Sequence, residues 1–440
     1  MPETSARDPL TADVEEYLKR DILPLFRSRS RYLTYRQANA YGSEAHGGVD
    51  ELREAAASAG ATLVLPYVQK AIASTKRAIM RADDSSGVIG DVVYRLLALH
   101  ADLAMLAPPP PAKLVRWILA FDFDEEVDYF QVDIARYVDA LGPRGVARYR
   151  AELDRIEATV PDVSHDDVMA TVRQFSTSSP EYQRMSHAHH VRSVVGQARR
   201  RLAVADRDVE AIIATHGGDG TRAYQLEDVA KALTEIGELD RAIEFAEGAA
   251  FVENGWQAER AAKRWCDLLA EARPEDEPGA RRVVFERWPS ASNASALRRA
   301  AGAGWDRIEA EVLAKLSADV DAYIGFILRE LGDARRAWDE AHRLELRNAR
   351  EWTELVDAYA PIDAAAVLPV LEELVESDLE VTGVDAYRTA VRRLKLMHRL
   401  AIGVGVDAIA RAKAFTARIR EENRRRPRFL AELDRGRLPG

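Results

Sequence analysis

The sequence predicts an all-α fold, an α-solenoid of irregular helical hairpins that becomes tetratricopeptide-like in its C-terminal half. Three observations carry this. Apolar residues recur at helical spacing through most of the 440 residues, which places them on one face of a 3.6-residue turn. No set of alternating apolar and polar residues lies between turn signals, as strands would require. Two stretches far apart in the chain share a pattern: a stripe of large residues, a glycine, then spaced alanines.

Val14, Tyr17, Leu18, Ile22 and Leu25 share a helical face, and Pro24 should kink or end that helix, since proline lacks the amide and clashes with the preceding turn. A second stripe, Val92 or Val93 with Leu96, Leu99, Leu103 and Leu106, runs into four prolines at 108–111. Four prolines stop a helix and form a rigid extended connector. Residues 161–222 are richer in Asp, Ser, Thr, Gly and His. They predict one helix from Glu181 to about Asp206, with irregular sequence on both sides. The tip from His216 to Gly220, with three glycines in five residues, cannot be helical.

After Tyr224 the repeated pattern begins. LEDVAKALTEIGELDRAIEFAEGAA turns at Gly237, and VDAYIGFILRELGDARRAWDEAHRL turns at Gly332. Ala242, Ala246 and Ala250 follow the first glycine; Ala334, Ala337 and Ala341 follow the second. Small residues on the second helix of each pair let the two approach closely, the logic of helical-repeat hairpins. The glycines stand 95 residues apart, so the array is degenerate. The expected division is an N-terminal helical domain (1–160), a connecting segment with one helix and flexible loops (161–222), and a helical-repeat domain (223–440).

Apolar residues make up 47% and charged residues 30%, the balance of a soluble, core-forming chain. No run approaches the roughly 18 apolar residues of a membrane span, so no membrane partner is expected. MPETSARDPL lacks the basic and apolar regions of a secretory signal, and a cytoplasmic location is the default. The single cysteine, Cys266, sits in a helical pattern; it excludes an intrachain disulfide or a multi-cysteine zinc site and reads as a buried structural thiol. Net charge is −10, yet Arg392 to Gly440 carries +9 and the remainder −19. That polarity suits an acidic partner or contacts between the chain's own ends.

RADDSSGVIGD at 81–91 holds the oxygens of a metal or phosphate loop. As a calcium loop starting at Asp83, its twelfth position is Tyr94; starting at Asp84, it is Arg95. Neither supplies the required carboxylate. A phosphate loop fails for want of Gly-Lys-Ser/Thr. The expected role is a tight inter-helix turn: Asp84, Ser85 or Ser86 caps a helix starting near Val88, and Asp91 favours its positive end. Asp83 and Gly87 complete the turn. In MSHAHHVR, His187 and His190 are close enough on a helix to share a metal, with His165 and Asp167 as further candidates. Zinc needs three or four converging ligands, so exposed polar histidines are expected and no cofactor or metal. Near the C-terminus, Ala408, Ala412, Phe415 and Ile419 form a packing stripe. Arg411, Lys413, Arg418 and Arg420 lie outside it, and Arg424, Arg425, Arg426 and Arg428 cluster beyond. These can neutralise acidic neighbours or contact an anionic partner; no base-stacking aromatics accompany them. Trp256, Trp265, Trp305, Trp338 and Trp352 stand at helical positions and serve packing between helices.

The runs SRSRYLTYRQANAYGSEA, RADDSSGVIGDVVYRLLALH and YVDALGPRGVARYRAEL are similar to an uncharacterised bacterial domain family of unknown function. That family looks related to the helical region downstream of the zinc finger in bacterial SWIM proteins. ERWPSASNASALRRA and FTARIREENRRRPRFLAEL resemble the same proteins. The resemblance implies an intracellular bacterial protein of helical repeats, with Asp83 to Gly87 and Asp91 as the family marker and no catalytic residue. The finger itself needs three cysteines and a histidine, which this chain does not supply. The leading expectation is a non-enzymatic scaffold whose concave surface binds another protein or a peptide. The alternatives are a nucleic-acid-associated module using the basic C-terminal helices, and a metal- or ligand-dependent enzyme around Asp83, Asp84 or the histidines.

Overall fold

A computed structural model describes residues 9–124, 129–174 and 176–438; most of the N-terminal stretch read for a signal lies outside them. By packing, the chain divides into two compact units, Met1–Glu253 and Asn254–Gly440. This is a different cut from the three-part division by composition, because the 161–222 segment and the first glycine hairpin pack within the first unit. No strand occurs among the described residues; one isolated bridge joins Leu33 to Ala82. The fold is all-α.

In the first unit α1 (Pro9–Tyr17) runs into a π turn, Leu18–Ile22, and a 3-10 turn, Leu23–Phe26. Pro24 sits at the start of that 3-10 turn, where its missing amide leaves nothing unpaired. The π turn's extra residue shifts the register, so Leu18, Ile22, Leu23 and Phe26 are buried while Leu25 is only partly so. Then come α2 (Tyr35–Ala59), α3 (Ala61–Ile79), α4 (Val88–Leu106), α5 (Pro111–Asp122) and α6 (Val138–Glu157). The proline run behaves in two ways. Pro108–Pro110 form the connector, whereas Pro111 opens α5, since its fixed φ suits a first helical position.

The unit ends with α7 (His165–Gln174), α8 (Pro180–Ala205), α9 (Val209–His216), α10 (Ala223–Glu235) and α11 (Leu239–Phe251). The composition around α8 predicts irregular chain, yet α7 and α9 form there. Their Ser and Asp residues are caps. Ser164 and Asp167 bond each other's amides reciprocally, a capping box, and Asp208 accepts from the Ala211 amide at 3.0 Å.

The second unit comprises α12 (Trp256–Ala272), α13 (Glu277–Arg287), α14 (Ala291–Ala301), α15 (Glu309–Leu316), α16 (Val320–Phe326), α17 (Ala334–Arg343), α18 (Ala349–Tyr359), α19 (Ala364–Glu380), α20 (Val384–Val404), α21 (Val406–Glu422) and α22 (Pro427–Arg435). Within each unit most helices pack on the helix before or after them, as in an irregular solenoid; α3–α4, α10–α11 and α19–α20 are among the most extensive pairs. Gly237 and Gly332 turn their hairpins at φ of 82° and 69°, a left-handed conformation that glycine adopts without a Cβ clash. Behind them Ala242, Ala246, Ala250, Ala337 and Ala341 are buried, and Ala334 partly so. Trp265, Trp305 and Trp338 are in the core, but Trp256 is 67% exposed. It is the first residue of α12, and its ring carries the Arg260 guanidinium 5.2 Å from its centre.

Candidate functional site

The DDSSG stretch is a turn tied at both ends. The Leu33 amide donates to the Arg81 carbonyl at 2.7 Å, and the Asp83 amide donates to the Leu33 carbonyl at 2.8 Å. Asp84 turns its carboxylate onto the start of α4, accepting from the Ile89 and Gly90 amides at 2.9 Å each. Gly87, at φ 76°, brings the chain into that helix. The Ser85 hydroxyl donates to Asp83, and the Ser86 hydroxyl to Asn39 Oδ1 at 2.9 Å. Asp91 is exposed on the first turn of α4. Two sequence segments thus meet: Arg95 of α4 reaches His46 Nδ1 of α2 at 2.8 Å. A β-carbon at Gly42 would stand 2.6 Å from Val88 Cγ1, so α2 and α4 touch there. Asp84 faces amides.

The histidines do not gather as their spacing suggests. The ring of His165 lies 5.6 Å from that of His189, which belongs to neither place of the expected pair. His187 is exposed and His190 half-buried, while Asp167 is bonded to Ser164. Among the described residues no group of three or more His, Cys, Asp or Glu is placed to hold a metal ion. Cys266 is buried, and burial pushes its thiol up to about 11.

Much of the C-terminal positive charge is matched internally. Arg411 makes a two-bond pair with Glu372, 2.8 Å each. Arg418 contacts Glu376 and Glu422, Arg420 contacts Asp434 and Arg424 contacts Glu421. Arg426 donates to the Leu379 carbonyl. Lys413, Arg425 and Arg428 are exposed.

A more structured polar region lies beneath α3 and α5. His100 is fully buried in α4, with the Trp117 ring stacked 3.7 Å from its own at 20°. Gln69 Nε2 is 3.0 Å from His100 Nε2. An amide nitrogen can only donate, so this ring nitrogen accepts and the proton sits on Nδ1. That proton points to Tyr137 Oη at 2.9 Å, whose hydroxyl in turn reaches the Leu97 carbonyl at 3.4 Å. The chain runs one way and leaves the imidazole neutral; burial lowers its pKa to about 3. Nearby, Asp122 is 4% exposed. It accepts from the Val132 amide at 2.7 Å and is hydrogen-bonded to Tyr149. Burial raises its pKa to about 7, against the opposing pull of that amide, of Lys76 and of Tyr149. Lys76 is itself buried, donating to Asp124 at 2.8 Å with its ammonium 4.3 Å from the centre of the Phe121 ring. Above this network a cleft of about 250 Å³ opens between α3 and α5, lined by Gln69, Ile72, Lys76, Arg77, Trp117 and Asp124 among others.

Residues 12–300 match the family described as "Family of unknown function (DUF6880)", about two thirds of the chain. The protein belongs to the DUF6880 family. The DUF6880 match takes in the DDSSG turn, the α3–α5 cleft and the His100 network; the basic helices α21 and α22 lie beyond it. No curated protein matches the chain. A solved structure described as a circular tandem repeat protein with novel repeat topology and enhanced subunit contact surfaces aligns over 97% of this chain and 96% of that one, at 13% identity and a TM-score of 0.17.

Sequence reasoning passes over Gln69, Lys76, His100, Trp117 and Asp122 of this DUF6880 chain. Two signals were there: Lys76 and His100 each occupy a position that the apolar stripe of their helix would fill. A polar residue inside a stripe is either misplaced or partnered; its partners, 31 to 48 residues away, are visible only in the fold.

Proposed function

We propose that this DUF6880 protein is a non-enzymatic helical-repeat scaffold that binds another protein or a peptide, in a bacterial cytoplasm. The observation that carries the reading is the packing of helix on neighbouring helix through small-residue seams, as at Ala242, Ala246 and Ala250. Such stacking leaves inter-helix grooves along each unit, the surfaces that helical-repeat proteins use for partners. The kinship with the helical region of SWIM proteins belongs to the same reading. The pairing of Arg411, Arg418, Arg420 and Arg424 with acids supports it over nucleic-acid binding, because a cation already paired with a carboxylate must give up that partner before it can neutralise a phosphate.

Affinity capture from the native host, with the tagged full chain at low salt, tests this. A stoichiometric protein partner is the expected outcome. Recovery of none, together with binding of DNA or RNA at about 50 mM salt, where electrostatic affinity is strongest, would replace the scaffold with the nucleic-acid module.

A further inference from the structure

A second cavity of about 210 Å³ lies farther along α3 from the cleft over His100, and Gln69 lines both. The second is walled by Leu65 and Pro66 on α3 and by Pro108–Pro110, Lys113 and Leu114 on the other side. Together they follow α3 from Thr62 to Arg77, about 22 Å at the helical rise. That matches an extended chain of about seven residues. The three prolines make one wall stiff, so the groove exists before anything enters it.

Its chemistry is graded along its length. Leu65, Ile72 and Trp117 give the middle an apolar lining. Gln69 stands between them with its nitrogen held by His100, so its carbonyl oxygen is left as an oriented acceptor. An extended peptide carries backbone N–H groups that need such an acceptor when they leave water. Each end carries an exposed cation, and the Asp124 carboxylate that pairs with Lys76 also lines the Arg77 end. Lys113 is exposed at one end. At the other, exposed Arg77 donates to the Ser74 hydroxyl at 3.3 Å, beside the paired Lys76.

We infer that the α3–α5 groove takes a short extended peptide segment with apolar side chains in its centre and acidic side chains toward both ends. This rests on the scaffold reading and gives it a place and a partner chemistry. Carboxylates of the segment pair with Arg77 and Lys113, its apolar centre covers Ile72 and Trp117, and one backbone amide donates to Gln69. The charge at the ends sets specificity and on-rate more than depth of affinity.

A phage-displayed library of random heptapeptides, panned against the full chain, tests the inference. The expected result is enrichment of sequences with Asp or Glu toward both ends and apolar residues between. Binding of the selected peptides should fall about tenfold or more in the double variant R77E/K113E, and should vanish in A73W, which fills the cleft from an exposed position of α3. Circular dichroism and melting of each variant check that the fold is kept. Failure to enrich any heptapeptide over the A73W protein overturns the inference. So do selected peptides that lack acids or that bind R77E/K113E unchanged. The two readings fail separately: a host partner captured equally by A73W leaves the scaffold standing without this groove. Acidic peptides bound by a protein that captures no host partner leave the groove without the scaffold.

Discussion

Beneath α3 and α5, His100 and Asp122 are buried and matched by hydrogen bonds, His100 to Gln69 and Tyr137, Asp122 to Val132 and Tyr149. Along α21, Arg411 and Arg418 are charged, exposed and matched by opposite charge, Arg411 to Glu372 and Arg418 to Glu376. Both regions satisfy their polar atoms. The difference lies in what water does when a partner is removed: at the surface it replaces the partner, and in the core it cannot. A dense charge cluster in a sequence is therefore a weak pointer to where the molecule is sensitive, and one histidine in an apolar stripe is a strong one.

His100→Ala should be the most damaging single change. It opens a cavity and strands Gln69 and Tyr137, for a loss of about 3–5 kcal/mol measured by urea unfolding. A loss under about 1 kcal/mol would mean that the network is wet and that the contrast with the surface pairs is wrong.

Two of the buried titratable groups, Asp122 and His100, oppose each other with pH. For Asp122 the folded pKa, about 7, lies above the unfolded value near 4. Its contribution to stability is full below the unfolded value and is lost as pH rises toward 7. His100 runs the other way: its folded pKa, about 3, lies below an unfolded value near 6.5, so stability is lost as pH falls from about 6.5 toward 3. Each slope is at most about 1.4 kcal/mol per pH unit, and they cancel between roughly pH 4 and 6.5. Asp122→Asn should therefore expose a stability that rises with pH across that window, and His100→Gln one that falls. Parallel melting curves in the two variants would show that the pair does not set the pH dependence.

Asp84→Ala leaves the Ile89 and Gly90 amides without their acceptor and should cost about 1–2 kcal/mol, between the two extremes. Arg411→Ala removes an exposed pair and should cost about 0–1 kcal/mol, less at high salt. A surface loss equal to that of His100→Ala would erase the distinction altogether.

The parts of this architecture that can be read from the chain are those set by neighbours in sequence. The hairpins at Gly237 and Gly332, the end of α4 at the prolines and the helix over 180–205 all follow from local pattern and breaker residues. The DDSSG turn is legible for the same reason, since Asp84 bonds amides five and six residues away. The registers of α1 and its π turn are not, because tertiary packing on Phe26 and Leu23 overrides the simple period. Composition also misled at α7 and α9, where Ser164, Asp167 and Asp208 start helices instead of loosening the chain. The α3–α5 groove is the least legible feature. It is assembled from residues at 62–77 and 107–124, whose juxtaposition depends on how long α4 is.

Gly42 carries one more consequence. With no room for a methyl group against Val88, positions 42 and 88 behave as a single unit of volume shared by two helices. Divergence within the family should therefore keep their combined size, so that a larger residue at 42 comes with a smaller one at 88. In the laboratory, the damage from Gly42→Ala should be relieved by Val88→Ala, two substitutions that are each harmful and together nearly silent.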